Sequence, residues 1–145
     1  MTKEQMIALL NGDLRNEYMH LHFYLHSAAM VAGLHRAELK EFLVEEAEGE
    51  FKHVQEFADL IVGLGGVPDT IHNPFPTNLT CPWEILKHAL FMEDTVVANY
   101  AERMGQAEEL GGPDGRWIEA FLENQIIDSR KDADHIRQML KVKPH

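Results

Sequence analysis

The segment Val44–Phe57, VEEAEGEFKHVQEF, reads as part of a long amphipathic helix, yet Glu50 and His53 stand where its apolar stripe should run. Around them Leu39, Leu43, Phe57, Leu60 and Leu64 step by three and four, the spacing of one helical face. Side chains three apart on a helix are neighbours on that face. A helix that turns a carboxylate and an imidazole toward its own core needs something there to compensate them.

The same interruption recurs along the chain. A first helix gives Ile7, Leu10, Leu14, Glu17, Leu21, Tyr24, Ala28 and Val31. The helix of the opening segment continues its stripe through Glu46, Glu50 and His53. A third gives Leu86, Leu90, Glu93, Val97, Tyr100, Met104 and Ala107, and a fourth Ile118, Phe121, Gln125, Asp128, Asp132, His135 and Met139. Each stripe is apolar near its ends and polar near its middle.

Punctuation sets the boundaries. Thr2 and Gln5 have capping-box spacing, so the first helix is expected from about Lys3 to Met30–Ala32, stopping at Gly33. The second is expected from about His35 to Leu64, before Gly65-Gly66. GGVPDTIHNPFPTNLTCPW carries four prolines between 68 and 82 and predicts a long irregular connection. The third helix is expected from Pro82, a favoured first helical position, to just before Gly111-Gly112, and the fourth from about Gly115 to Lys141. Nothing alternates with period two, so no strand is expected. The short turns make two antiparallel hairpins, and the connection of about 17 residues is long enough to let the second and third helices lie parallel. The expected fold is all-α: one domain over 1–145, a four-helix bundle with one long crossover.

The bulk numbers fit. With 145 residues, 45% hydrophobic and 26% charged, the chain suits one globular core. Net charge of −11 argues against direct binding to DNA or to an anionic membrane. No signal peptide or membrane span is read at the start, and Cys81, the lone cysteine, fits a reducing cytoplasm.

Glu17, Glu50 and Glu93 lie near the middle of their helices and Asp132 slightly past it, so in paired helices they meet at one level, with His53 and His135 a turn along. Four crowded, buried carboxylates repel, and a pair of divalent cations relieves both the repulsion and the desolvation. Oxygen-rich ligation with two imidazoles suits iron or manganese, with zinc as competitor. Glu46 and Asp128 read as a polar extension of the site or a helix–helix hydrogen bond. Glu17-x-x-His20 has the same spacing as Glu50-x-x-His53, but His20 falls just off the stripe and is read as a non-ligand. His22 and His26 fall on other faces. Tyr24 and Tyr100 each follow a stripe glutamate by seven residues and need hydrogen-bond partners; Tyr24 is a candidate donor to a bridging carboxylate.

These residues resemble the ferritin-like di-iron pattern, in which two helices each give a Glu and two each give Glu-x-x-His. The likeness is closest to bacterioferritin and the small Dps-like ferritins and covers nearly the whole chain. NEYMHLHFYLH (16–26) resembles the first-helix segment with Glu17 and Tyr24. EGEFKHVQEF (48–57) resembles the second-helix ExxH, and ALFMEDTVVANY (89–100) the third-helix segment, pointing to Glu93 rather than Asp94. The resemblance implies two irons per subunit, with Glu50 and Asp132 bridging or flanking them, or bridging while Glu17 and Glu93 are terminal. It departs at Asp132-x-x-His135, where Asp replaces Glu. It departs again at Phe51, which stands where the bacterioferritin haem-binding Met would be, so no haem is expected. About ten residues follow His135, short of the fifth helix of the 24-subunit shell, so a 12-subunit homo-oligomeric shell is expected over 24. The implied function is a ferroxidase that oxidises Fe(II) with O2 or H2O2 and stores the product. A rubrerythrin-like peroxidase or other soluble di-metal oxidase stands second, although no Cys-x-x-Cys module accompanies the chain. A metal-free structural bundle stands last.

Overall fold

The computed structural model describes residues 1–142. Four helices follow in order: α1 (Lys3–Met30), α2 (Arg36–Gly63), α3 (Pro82–Leu110) and α4 (Gly112–Met139). Among the described residues there is no strand. Each helix has 28 or 29 residues, about 42 Å at 1.5 Å per residue. The chain divides into two compact units, Thr2–Pro82 and Trp83 onward with Met1.

In the first unit, α1 opens on the expected capping box. The Gln5 amide donates to Thr2 Oγ1 (3.1 Å) and the Thr2 amide to Gln5 Oε1 (2.8 Å). At its other end the last carbonyls would be orphaned, and Arg36 at the start of α2 reaches back to donate to Ala29 O (2.9 Å) and Val31 O (2.5 Å). The hairpin buries Met6, Leu10, Leu14, Phe23, Tyr24 and Ala28 of α1 with Leu43, Ala47, Val54, Phe57, Leu60 and Ile61 of α2.

The proline-bearing connection leaves α2 through Gly65, whose φ of +90° is open to glycine at little cost. It then lies along α1, running the same way. Asn11 donates to Val67 O and accepts from the Asp69 amide, and Arg15 pairs with Asp69 at 2.6 Å. The Asn73 amide donates to Arg15 O, His26 Nε2 meets Thr77 O at 2.6 Å, and the Ala32 amide donates to Thr80 O. Phe75 packs edge-on to Phe23 and beside His26 and His72. A segment without its own secondary structure has thus placed part of its backbone bonding on one helix.

In the second unit, α4 begins at Gly112, earlier than the sequence predicts, because Pro113 occupies its first turn, where the missing amide costs nothing. Gly111, at φ +71°, makes the turn from α3. Gly115 is buried, and a Cβ there would lie 2.5 Å from the backbone oxygen of Ala107. Gly115→Ala is therefore expected to lower the stability of the protein by about 1–3 kcal/mol, the usual range for forced overpacking. An unchanged urea midpoint would show that the two helices separate freely at this turn. Further along, Arg137 of α4 makes a two-pronged pair with Asp94 of α3, both contacts at 2.9 Å, and also meets Asp134 at 3.0 Å.

The buried stripe of α4 is Ile118, Leu122, Gln125, Ser129, Ala133 and Ile136. The expected stripe ran one residue earlier at most of these steps, through Phe121, Asp128, Asp132 and His135. A shift of one residue turns the helix by about 100°. Phe121 and Asp132 are consequently half-buried, while Asp128 and His135 are exposed.

Candidate metal centre

Glu17 on α1 and Glu50 and His53 on α2 are all buried, at 1%, 1% and 4% exposure. Ligand atoms from the three lie within 4.8 Å of one another. His53 Nδ1 donates to Glu50 Oε2 (3.3 Å) and stands 3.5 Å from Glu17 Oε2. The turn between the helices is short, so a step of three up α1 matches a step of three down α2. Glu17 therefore falls opposite His53, and residue 20 opposite Glu50.

That second position holds His20. It is 2% exposed, with Nδ1 3.7 Å from Glu50 Oε1. The sequence reading set His20 just off the stripe; the hairpin instead turns it inward. The buried face of α1 is two residues wide in places, running through Asp13, Leu14, Glu17, His20, Phe23, Tyr24, Ser27 and Ala28, and a single-file stripe misses half of it. The matching ExxH spacing was the available signal. Asp13, one turn before Glu17 and 2% exposed, was missed for the same reason. Tyr24 is fully buried, edge-on to Phe23.

The electrostatics follow from crowding. Burial first, then the nearby charge of Glu50, pushes the Glu17 carboxyl up to about 7. Burial alone would depress His53, but its hydrogen bonds and Coulomb attraction to Glu17 and Glu50 outweigh that and push the imidazole up to about 12. Without a metal, the cluster retains protons on His53 and, below about pH 7, on Glu17. The His53 imidazolium and the protonated, neutral Glu17 carboxyl relieve part of the repulsion that a divalent cation would relieve. The donor set of carboxylate oxygens and imidazole nitrogen, crowded and proton-holding, fits a transition metal of the iron, manganese or zinc type.

In the second unit, α3 buries Glu93 completely and leaves Asp94 half-exposed in its pair with Arg137. Of these two neighbours, Glu93 is the one turned inward. On α4, Asp132 is half-buried and His135 exposed. Phe51, on α2 beside Glu50 in sequence, is 55% exposed.

Residues 7–143 match the Ferritin-like domain family. The chain belongs to that family. No curated protein matches it. A solved ferritin-like, diiron-carboxylate protein of Bacillus anthracis is 30% identical, with TM-score 0.86 over 95% of this chain and 96% of that one. An archaeal Dps homologue of Halobacterium salinarum is 25% identical, with TM-score 0.85 over 98% of this chain and 82% of that one. The bacterioferritin-related protein of Bacteroides fragilis, described as a dodecameric thioferritin, shares the fold at 20% identity and TM-score 0.79, covering 96% of this chain and 86% of that one. Family membership agrees with the all-α, ferritin-like four-helix fold expected from the stripes. No described helix is long and apolar enough to cross a membrane.

Proposed function

We propose that this ferritin-like chain is a ferroxidase that takes up two Fe(II) per subunit, oxidises them, and stores the product in a homo-oligomeric shell. The observation that carries the reading is the buried Glu17–Glu50–His53 cluster. Glu93, Asp132 and His135 are proposed as the remaining ligands, from the family pattern that ALFMEDTVVANY and Asp132-x-x-His135 resemble. The complete burial of Glu93 supports its part in this.

Iron is the substrate: each Fe(II) gives up one electron, two together reducing dioxygen to peroxide or peroxide to water. The protein's own residues prepare that exchange. Glu17 and His53 surrender their protons as the cations enter, and those protons become available to the reduced oxidant. Glu50, whose two oxygens face different imidazoles, would on this reading touch both ions. Tyr24, buried one turn beyond His20, is proposed to steady a carboxylate through its hydroxyl. The large apolar side chains around the hairpin, Leu14, Phe23 and Phe57, keep bulk water from the cluster. Manganese and zinc are competing occupants by donor chemistry. A soluble di-metal oxidase without storage is the second reading; it shares the cluster and differs in assembly.

Assembly separates the two. Several large apolar side chains are exposed, among them Leu25, Phe51, Phe91, Trp117 and Ile127. Exposed apolar area of this kind suits contacts between copies. A shell of twelve is favoured over twenty-four, in keeping with the dodecameric relative. Light scattering is expected to report about 200 kDa, twelve chains of 16.6 kDa. A monomer or dimer at micromolar concentration would overturn storage and leave the oxidase.

A further inference from the structure

Two Glu-x-x-His pairs face each other inside the α1–α2 hairpin. Glu17-x-x-His20 climbs α1 while Glu50-x-x-His53 descends α2, so each histidine lands on the other helix's glutamate. His20 Nδ1 is 3.7 Å from Glu50 Oε1, and His53 Nδ1 is 3.5 Å from Glu17 Oε2. All four residues are at most 4% exposed.

Glu50 is thus flanked on both oxygens, by His20 at Oε1 and by His53 at Oε2. The His20 contact is too long for an N–H···O bond. It is the right length for something else. Donors each about 2.1 Å from one ion and about 110–130° apart lie about 3.4–3.8 Å from each other. The three imidazole–carboxylate separations in the hairpin, 3.3, 3.5 and 3.7 Å, fall at or close to this range.

We propose, building on the metal-binding reading above, that His20 is a further metal ligand, so that the α1–α2 hairpin alone supplies two carboxylates and two imidazoles to divalent transition metals. The pattern of one Glu from the first helix is enlarged in this chain to Glu-x-x-His. A buried imidazole there costs a desolvation that a hydrocarbon filling the same space would not, and ligation would offset it. The added nitrogen donor raises affinity for imidazole-preferring ions such as Co(II) and Zn(II).

The test uses the full assembled protein and Co(II), which binds such sites and reports its ligands by visible absorption. Titrations compare the wild type with His20→Ala, His20→Cys and His53→Ala, each checked for helicity by circular dichroism. His20→Ala is expected to weaken Co(II) binding at least tenfold and to change the visible band. His20→Cys is expected to bind Co(II) with a new thiolate-to-metal charge-transfer band in the near ultraviolet, which a merely structural side chain would not produce. Wild-type affinity and spectrum in His20→Ala, or Co(II) bound to His20→Cys without the thiolate band, would overturn the role of His20 while leaving the centre itself intact. Co(II) binding that survives His53→Ala unchanged would instead remove the metal centre, and this inference with it.

Discussion

Glu50→Ala is expected to lower the initial rate of Fe(II) oxidation at least about a hundredfold, since even outer partners of metal ligands are worth about 10–100-fold and Glu50 is proposed as a direct ligand. Its carboxylate is the centre of the cluster: Oε2 accepts from His53 Nδ1 at 3.3 Å and Oε1 stands 3.7 Å from His20 Nδ1. Alanine removes both oxygens and leaves the imidazoles without the anion between them. The helices should still form, because Leu10, Leu14, Leu43, Phe57 and Leu60 remain buried and the change also removes a negative charge that repels Glu17. Stopped-flow oxidation together with circular dichroism decides it. A variant with native helicity and a wild-type initial rate would take Glu50 out of the site.

Metal affinity is expected to fall steeply with acid, by about a thousandfold from pH 8 to pH 6. The sign follows from the two raised groups. His53, held up to about 12, carries a proton that an incoming cation must displace at every pH in this window, so affinity changes about tenfold per pH unit. Glu17, pushed up to about 7, adds a second displaced proton below that pH, and the slope approaches about a hundredfold per unit. The same shifts act on the metal-free fold in one direction. Both folded-state values lie above the unfolded ones, so their stabilisation is complete below the unfolded values of 4.5 for Glu17 and 6.5 for His53. It is lost as pH rises, through about 7 for Glu17 and about 12 for His53. Calorimetry in buffers of different ionisation enthalpy counts the protons: more than one per ion at pH 6, about one at pH 8. Proton-independent binding across this range would place the metal elsewhere.

Much of this was readable from order along the chain. Helix identity came from three–four stepping over nearly thirty residues, a signal that tertiary context seldom overrides. The capping box, Pro82 and the glycine pairs set most of the helix ends, and Pro113 moved the start of α4 because a first-turn proline extends a helix rather than ending it. Glu17, Glu50 and His53 were legible because charged residues are costly on an apolar stripe, so their presence there carries information. Glu93 over Asp94 was legible from the stepping of the stripe from Leu90 to Glu93 to Val97, which leaves Asp94 beside it, and Asp94 faces Arg137.

What the sequence could not decide was rotation. Periodicity gives a stripe but leaves its centre uncertain by about one residue, because on a helix a buried face spans more than one row. That margin misplaced the stripe of α4 by one position, leaving His135 exposed and Asp132 at the edge. It also excluded His20, whose burial depends on which residues of α2 lie across from it. The antiparallel crossing of α1 and α2 fixes that, pairing residue 20 with Glu50 and residue 17 with His53. The course of the proline-bearing connection was equally beyond periodicity. Its path along α1 is set by individual long-range bonds from Asn11, Arg15 and His26, which leave no repeating trace in the sequence. Local order determined the helices and the inward turn of Glu17, Glu50 and Glu93; the packing of α1 against α2 decided that His20 and His53 lie across from Glu50 and Glu17.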